Sequence, residues 1–206
     1  MKHLLFFYFL LFVVPFSFSQ VTISSKLGLA HSTFLVPAEY SHVTDNRYQN
    51  NFYFGSHTNI PLDEKRAIIF ELMYVEKGTI GVAGSLLDRQ LELSYLSVPV
   101  LFNYSVLPKL HLQVGPEVSF LLEAKLEHSL VTMDVAPNFQ AVDLGLATGI
   151  SYDLFKGVFV EARFTEGITK IQQGLFGEVS GGRAGRNRSF QFGIGYQLFN
   201  IMPRAF

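Results

Sequence analysis

Hydrophobic residues recur at every second position in eight separate stretches of this chain, and the joints between the stretches alternate in length. Successive side chains of a strand point to opposite faces, so a period of two over that many segments commits the chain to an all-β sheet. One face is apolar and the other polar or small. Short joints fall at residues 61–66, 105–109 and 153–157, and long ones at 35–49, 76–90, 125–139 and 166–187. Strict alternation gathers the tight turns at one end of an up-and-down sheet and the long loops at the other. A barrel crossing a bacterial outer membrane has this layout, with tight periplasmic turns and longer external loops.

The first residues supply a route to that membrane. Lys2 and His3 precede an apolar run over 4–14, and Ser17-Phe18-Ser19 puts small residues two apart before Gln20. This pattern reads as a secretory signal peptide over 1–19, cleaved between Ser19 and Gln20, with the barrel domain occupying 20–206. The apolar run is too short for a spanning helix of about 20 residues, and no later stretch reaches about 18 uncharged apolar residues. Composition agrees with strands that meet lipid: 49% hydrophobic and 15% aromatic, with only 16% charged. The chain has no cysteine, which excludes disulfide staples and thiolate sites. Its net charge of −1 gives no basic excess for nucleic acid.

Alternation alone does not say which face is inside. In a soluble barrel the bulky face (Phe52, Phe54, Leu96, Val98, Leu112, Val114, Phe192, Ile194) would point inward and could hold a lipid-like ligand. Three features favour the membrane arrangement. The small residues Gly115, Gly145, Ala147, Gly149, Gly193 and Gly195 share the polar parity, as a narrow lumen requires. The apolar parity persists over the 9–11 or so residues that a tilted strand needs to cross a bilayer. Phe52, Tyr74, Tyr104, Tyr152 and Phe164 recur near strand ends as an interfacial girdle would. The expected fold is an eight-stranded antiparallel up-and-down transmembrane β-barrel. Pro99 and Pro116 fall within strands, where proline cannot donate to a ladder, so β-bulges or local breaks are expected there.

Several runs resemble a known family. These are Glu71-Leu72-Met73-Tyr74-Val75-Glu76-Lys77-Gly78, Tyr95-Leu96-Ser97-Val98-Pro99-Val100-Leu101, Gly115-Pro116, Glu161-Ala162-Arg163-Phe164 and Asn187-Arg188. In order and spacing they are similar to the PorT-like outer-membrane β-barrel family of Bacteroidetes-type bacteria. Ser97 stands where an acidic residue is common in that family, and residues 200–206 extend past the last strand. The resemblance accommodates both prolines. It implies contact with barrel-assembly machinery, for which Phe206 supplies a terminal aromatic. It also implies, for some members, a link to a protein-secretion system.

On the polar parity, Lys26, His57, Glu71, His111, Glu117, Asp143, Glu161 and Arg163 face the lumen. Two readings compete. One is a hydrolytic or metal site built from His57, His111 and a carboxylate. The other is a structural network in which Lys26 and Arg163 pair with Glu71, Glu117 and Glu161, because buried charges need partners. An eight-stranded barrel is only wide enough for side chains to fill, which favours the network and argues against a wide porin. His128 and Ser129 are adjacent but diverge in extended chain, and no Gly-x-Ser-x-Gly elbow or His-Glu-x-x-His is present. No catalytic residue, cofactor or metal is therefore assigned, and the chain does not read as an enzyme. Arg183, Arg186 and Arg188 form the one local charge cluster. Their guanidinium groups suit bidentate contact with lipid or lipopolysaccharide phosphates. The expected role is structural, adhesive or accessory to envelope transport.

Overall fold

The computed structural model describes residues 20–35, 47–81, 89–128, 131–172 and 185–201. The expected signal peptide, Arg183 and Phe206 lie outside them. These residues form nine strands: β1 (Val21–Leu35), β2 (Arg47–Pro61), β3 (Arg66–Ile80), β4 (Arg89–Leu107), β5 (Leu110–His128), β6 (Val131–Asp134), β7 (Val142–Asp153), β8 (Val158–Gly167) and β9 (Arg186–Ile201). Eight of them close an antiparallel ring, each beside its neighbour in sequence, and β1 meets β9 from Val21↔Ile201 to Leu35↔Arg186. The ninth, β6, stands outside the ring and pairs only with the end of β5, from Lys125↔Asp134 to His128↔Val131. The long joint expected at 125–139 is thus partly folded, and β3 likewise continues to Ile80, past the expected loop start.

Parity determines the faces as expected from sequence. Leu27 (62% exposed), Phe54 (52%) and Phe192 (57%) point outward, while Lys26, Tyr53 and Gln191 are buried. A soluble barrel with an apolar interior is excluded by this inversion. Two exposed apolar residues test the bilayer reading directly. Leu146, at the middle of β7, and Met133, on β6, are both 46% exposed. Leu146→Arg is expected to lower stability by about 2–4 kcal/mol in lipid, as for a cation on the lipid face. Met133→Arg, off the ring, should stay within about 0.5 kcal/mol. Urea unfolding in vesicles measures both, and equal effects would contradict a bilayer around β7.

The prolines interrupt the ladder without shifting it. Between Pro99↔Glu117 and Phe102↔Val114 the register is unchanged although the intervening pairs are lost, and β3–β4 has a similar gap between Phe70↔Val100 and Met73↔Ser97. A break occurs, then, but no bulge. The bulge lies higher, where Ser94 faces Glu123 and Tyr95 faces Leu121, leaving Leu122 as the extra residue. It reverses parity beyond that point. Glu123, which simple alternation put inside, is exposed, and Ala124 and Leu126 turn inward.

The turns follow local chemistry. In the β2–β3 turn the Asp63 carboxylate accepts from the backbone N–H groups of Lys65 (2.9 Å) and Arg66 (2.8 Å). Its side-chain bond from Arg66 holds its pKa down to about 2. The β7–β8 turn places Lys156 (φ 48°) and Gly157 (φ 80°) in the left-handed region, with Val158 N–H donating to Phe155 C=O at 2.9 Å. Such a two-residue turn matches the twist of the strands it joins.

Candidate functional site

The lumen is packed in tiers, beginning above the short turns with a polar cup. Above it, β1, β3 and β8 direct four charged side chains to one point. Lys26 Nζ donates to Glu71 Oε1 (2.7 Å) and Glu161 Oε1 (2.9 Å). Arg163 grips Glu71 with two bonds, Nη1 to Oε2 at 2.5 Å and Nη2 to Oε1 at 2.9 Å. Its Nη2 also reaches Gln113 Oε1 at 3.3 Å. Tyr53 Oη donates to Glu161 Oε1 at 2.7 Å, and His57 Nδ1 lies 3.0 Å from Glu71 Oε1. Planar guanidinium and carboxylate groups match one another in this two-bond geometry, which makes it strong and directional.

Glycine makes room for Tyr53. Gly28 and Gly193 face one another across the β1–β9 seam. A Cβ on Gly193 would overlap the Tyr53 hydroxyl, and one on Gly28 would lie 2.7 Å from its ring. The pair forms a slot that lets a residue of β2 reach Glu161 on β8.

The second tier shares no hydrogen bond with the first among the described residues. Lys77 Nζ donates to Glu117 Oε1 at 2.9 Å and sits 5.3 Å from the centroid of the Tyr95 ring. Ser119 Oγ donates to the same Glu117 oxygen at 3.1 Å and shares a 2.7 Å bond with Ser97 Oγ. Asp143 is held by neutral donors, Asn187 Nδ2 at 2.9 Å and Thr169 Oγ1 at 2.6 Å. Over this tier Phe34, Leu91, Leu93, Leu126, Val135, Phe139 and Ile171 form an apolar core inside the mouth at the long-loop end. The segment after β6, with a short 3-10 turn over Ala136–Asn138, supplies part of that core.

Seven of the eight expected lumenal residues are buried: Lys26, His57, Glu71, Glu117, Asp143, Glu161 and Arg163. They do not form one network. Glu117 is paired with Lys77, which falls in the long joint expected at 76–90, and Asp143 makes no ion pair among the described residues. The missed signal was parity, since Lys77 continues the series Glu71, Met73, Val75 along β3. His111 departs further. It is the second residue of β5, so its inward side chain reaches only the mouth of the lumen. There its ring nitrogens face Ser105 Oγ (2.9 Å) and Asp153 Oδ2 (3.0 Å). His57 and His111 therefore bond different carboxylates, and they do not assemble the joint site weighed above. Among the described residues no three His, Cys, Asp or Glu side chains converge as a metal ion needs.

At the long-loop end, Arg186 is exposed on the first residue of β9. Arg188 faces outward and donates twice to Glu166, at 2.7 and 3.0 Å, with its guanidinium 5.7 Å from the Phe164 ring centroid. The second member of the expected arginine cluster is therefore free for contact, and the third already holds a carboxylate.

Two solved structures share this architecture. Neisserial surface protein A is 13% identical, with 85% of this chain and 97% of that one covered and a TM-score of 0.56. The attachment invasion locus protein Ail of Yersinia pestis, solved with the heparin analogue sucrose octasulfate, is also 13% identical, covering 87% of this chain and 100% of that one, with a TM-score of 0.50. Among curated proteins none matches the sequence. The model of the family described as the outer membrane protein beta-barrel domain matches residues 12–173, from ahead of β1 to just beyond β8. With the apolar exterior and the closed eight-stranded ring, that match means that the chain belongs to the outer membrane protein beta-barrel domain family.

Proposed function

We propose that this protein is a non-conducting surface barrel whose working part is the folded extension at its long-loop end. One observation carries this reading. β4 and β5 are each 19 residues long, about twice the 9–11 residues a strand needs to cross. The excess is not wasted on unstructured loop. It carries β6, and its inner face packs the apolar core that stoppers the mouth. A lumen blocked by two tiers of bonded side chains does not suit diffusion, and an exposed edge strand outside the ring suits recognition. The role is adhesive or structural, or accessory to envelope transport, and not enzymatic.

Shortening residues 125–134 to a tight turn tests it. Cells displaying the shortened chain should lose surface attachment while the barrel still shows heat-dependent gel mobility. Unchanged attachment would overturn the reading. In planar bilayers the intact chain should give no single-channel steps, and sustained steps would contradict a blocked lumen.

Within the family, the motifs of β3, β4, β5 and β8 support a PorT-like branch of Bacteroidetes type, with barrel-assembly machinery and secretion components as partners. An N-terminal signal peptide removed after Ser19 accounts for export. Lipid or lipopolysaccharide phosphates are the proposed ligands of Arg183, Arg186 and Arg188. The exposed position of Arg186 supports this, and Arg186→Ala should reduce co-purified lipopolysaccharide.

A further inference from the structure

The outward face of the ring is not uniformly bulky. Between β4 and β9 it holds an open hollow of about 670 Å³. Its floor is low at Thr148 and Ala162, which stand on a parity that elsewhere on β7 and β8 carries Leu144, Leu146, Ile150 and Val160. One row of paired residues crosses it, from Phe102 through Val114, Thr148 and Phe164 to Phe190, so large rings stand at both ends. The wall on the β9 side is continuous. The Phe164 and Phe190 ring centroids are 4.9 Å apart, and Tyr48 lies 6.1 Å from Phe190.

Charge is arranged above this hollow, toward the long-loop end. The next row after Phe164↔Phe190 is Glu166↔Arg188, an ion pair that neutralises itself. Beyond it, Ile171 N–H donates to Gly185 C=O at 3.0 Å, which brings their sequence neighbours Lys170 and Arg186 to one part of the rim. Both are exposed, while Ile171 and Asn187 beside them are buried. Neither Lys170 nor Arg186 makes an ion pair among the described residues. Arg186 shares the outward parity of Phe190 and Phe192, and it stands about 13 Å from Phe190 along β9.

These two zones select one kind of occupant. Inside a bilayer an apolar surface gains nothing by exchanging one hydrocarbon neighbour for another, so a chain is held there by close packing. A hollow between fixed rings supplies that packing where a flat wall does not. The cations above it add a demand for an anionic head, and guanidinium and ammonium groups both suit phosphate. A second copy of the chain fits poorly. Two barrels meeting about a two-fold axis along the membrane normal would face each other at equal height, so Lys170 and Arg186 would meet their own like charges.

We infer that the outward wall of β7, β8 and β9 is a docking site for one phosphorylated glycolipid of the lipid A type. An acyl chain lies over Thr148 and Ala162 between the rings, and the phosphate sits at Lys170 and Arg186. The inference rests on the reading that Arg186 meets lipid phosphate, and it adds the acyl subsite and Lys170. Arg188 takes no part in the charge, since Glu166 already holds it; it covers the Phe164 ring and so builds the top of the wall.

The test uses the full chain folded into phosphatidylcholine vesicles doped with lipid A or with dephosphorylated lipid A. The protein is recovered in mild detergent and the retained lipid is counted by mass spectrometry. In a second arm the deacylated, phosphorylated disaccharide is titrated while the Arg186 guanidinium is followed by NMR. Lipid A should be retained about tenfold over its dephosphorylated form, the scale of one lost charge-assisted contact. Ala162→Phe, which fills the hollow from a lipid-facing position, should lower lipid A retention about tenfold and leave the disaccharide response unchanged. Lys170→Ala combined with Arg186→Ala should lower both. Heat-dependent gel mobility confirms the barrel, and Thr148→Phe replaces Ala162→Phe if that variant does not fold. Unchanged retention in the filled variant, with the disaccharide response intact, would overturn the acyl subsite and leave the phosphate reading standing. Equal retention of the two lipids with no disaccharide response would overturn both. Cross-linked pairs of barrels through Ala162→Cys, in place of bound lipid, would also overturn the inference.

Discussion

Replacing Arg163 by Met is expected to cost about 3–5 kcal/mol of unfolding free energy, the loss that follows when one partner of a buried ion pair is removed. Glu71 would lose its two-bond partner, and Lys26 alone would be left to balance it and Glu161. The penalty comes from the stranded carboxylate more than from the lost attraction, which gives the prediction a second arm. Combining Arg163→Met with Glu71→Gln should cost less than Arg163→Met alone, because the neutral amide no longer needs a cation. Urea unfolding of the refolded chain in vesicles measures both, and the double-mutant comparison isolates the coupling. A loss below about 1 kcal/mol for the single variant would mean that the tier behaves as a solvated surface pair.

Gly193→Val is expected to do comparable damage by steric means. The new side chain would occupy the space of the Tyr53 hydroxyl, and its Cβ would lie 2.7 Å from the Leu27 carbonyl oxygen. Neither backbone nor ring has room to yield without opening the β1–β9 seam, which closes the ring. Overpacking of this kind typically costs about 1–3 kcal/mol and occasionally more; with the Tyr53–Glu161 bond also lost, a value near the top of that range is expected. Gly193→Ala should be milder, and adding Tyr53→Phe should recover part of its cost by removing the overlapped oxygen. The readout is the same unfolding experiment, with heat-dependent gel mobility reporting whether the ring still closes. If Gly193→Val were as stable as the parent, the slot would not constrain Tyr53.

The two residues differ in how much of their role could be read in advance. Arg163 stands on the polar parity of β8 with Glu161, so its inward direction and its need for an anion were legible. Its choice of Glu71 was not. β8 and β3 are not neighbours in the ring, and a contact across the lumen depends on strand tilt and stagger, which no local pattern encodes. The same limit explains Glu117, whose partner Lys77 lies on β3. Gly193 was legible as a small residue facing a crowded interior. That it faces Gly28, and that the pair receives Tyr53, emerged only when β1 and β9 closed.

The external end was the least legible part. Long joints with mixed composition read as loops, yet β3, β4 and β5 continue through them and β6 adds to them. On β5 the bulge at Leu122 is the reason. One extra residue turns Ala124 and Leu126 inward, where they pack with Val135, Phe139 and Ile171, and an alternation test that assumes unbroken period two fails beyond that point.

By itself, then, the amino-acid order determined strand number within the ring, the end that carries the tight turns, and which face meets lipid. The first two follow from the period of two and from turn chemistry, and the third from the parity of the glycines and the placing of the girdle aromatics, all of which can be read within a few residues. Only the tertiary structure decided who pairs with whom across the lumen and how the mouth is stoppered. Those depend on closing the sheet, which brings together side chains as far apart as Lys26 and Glu161.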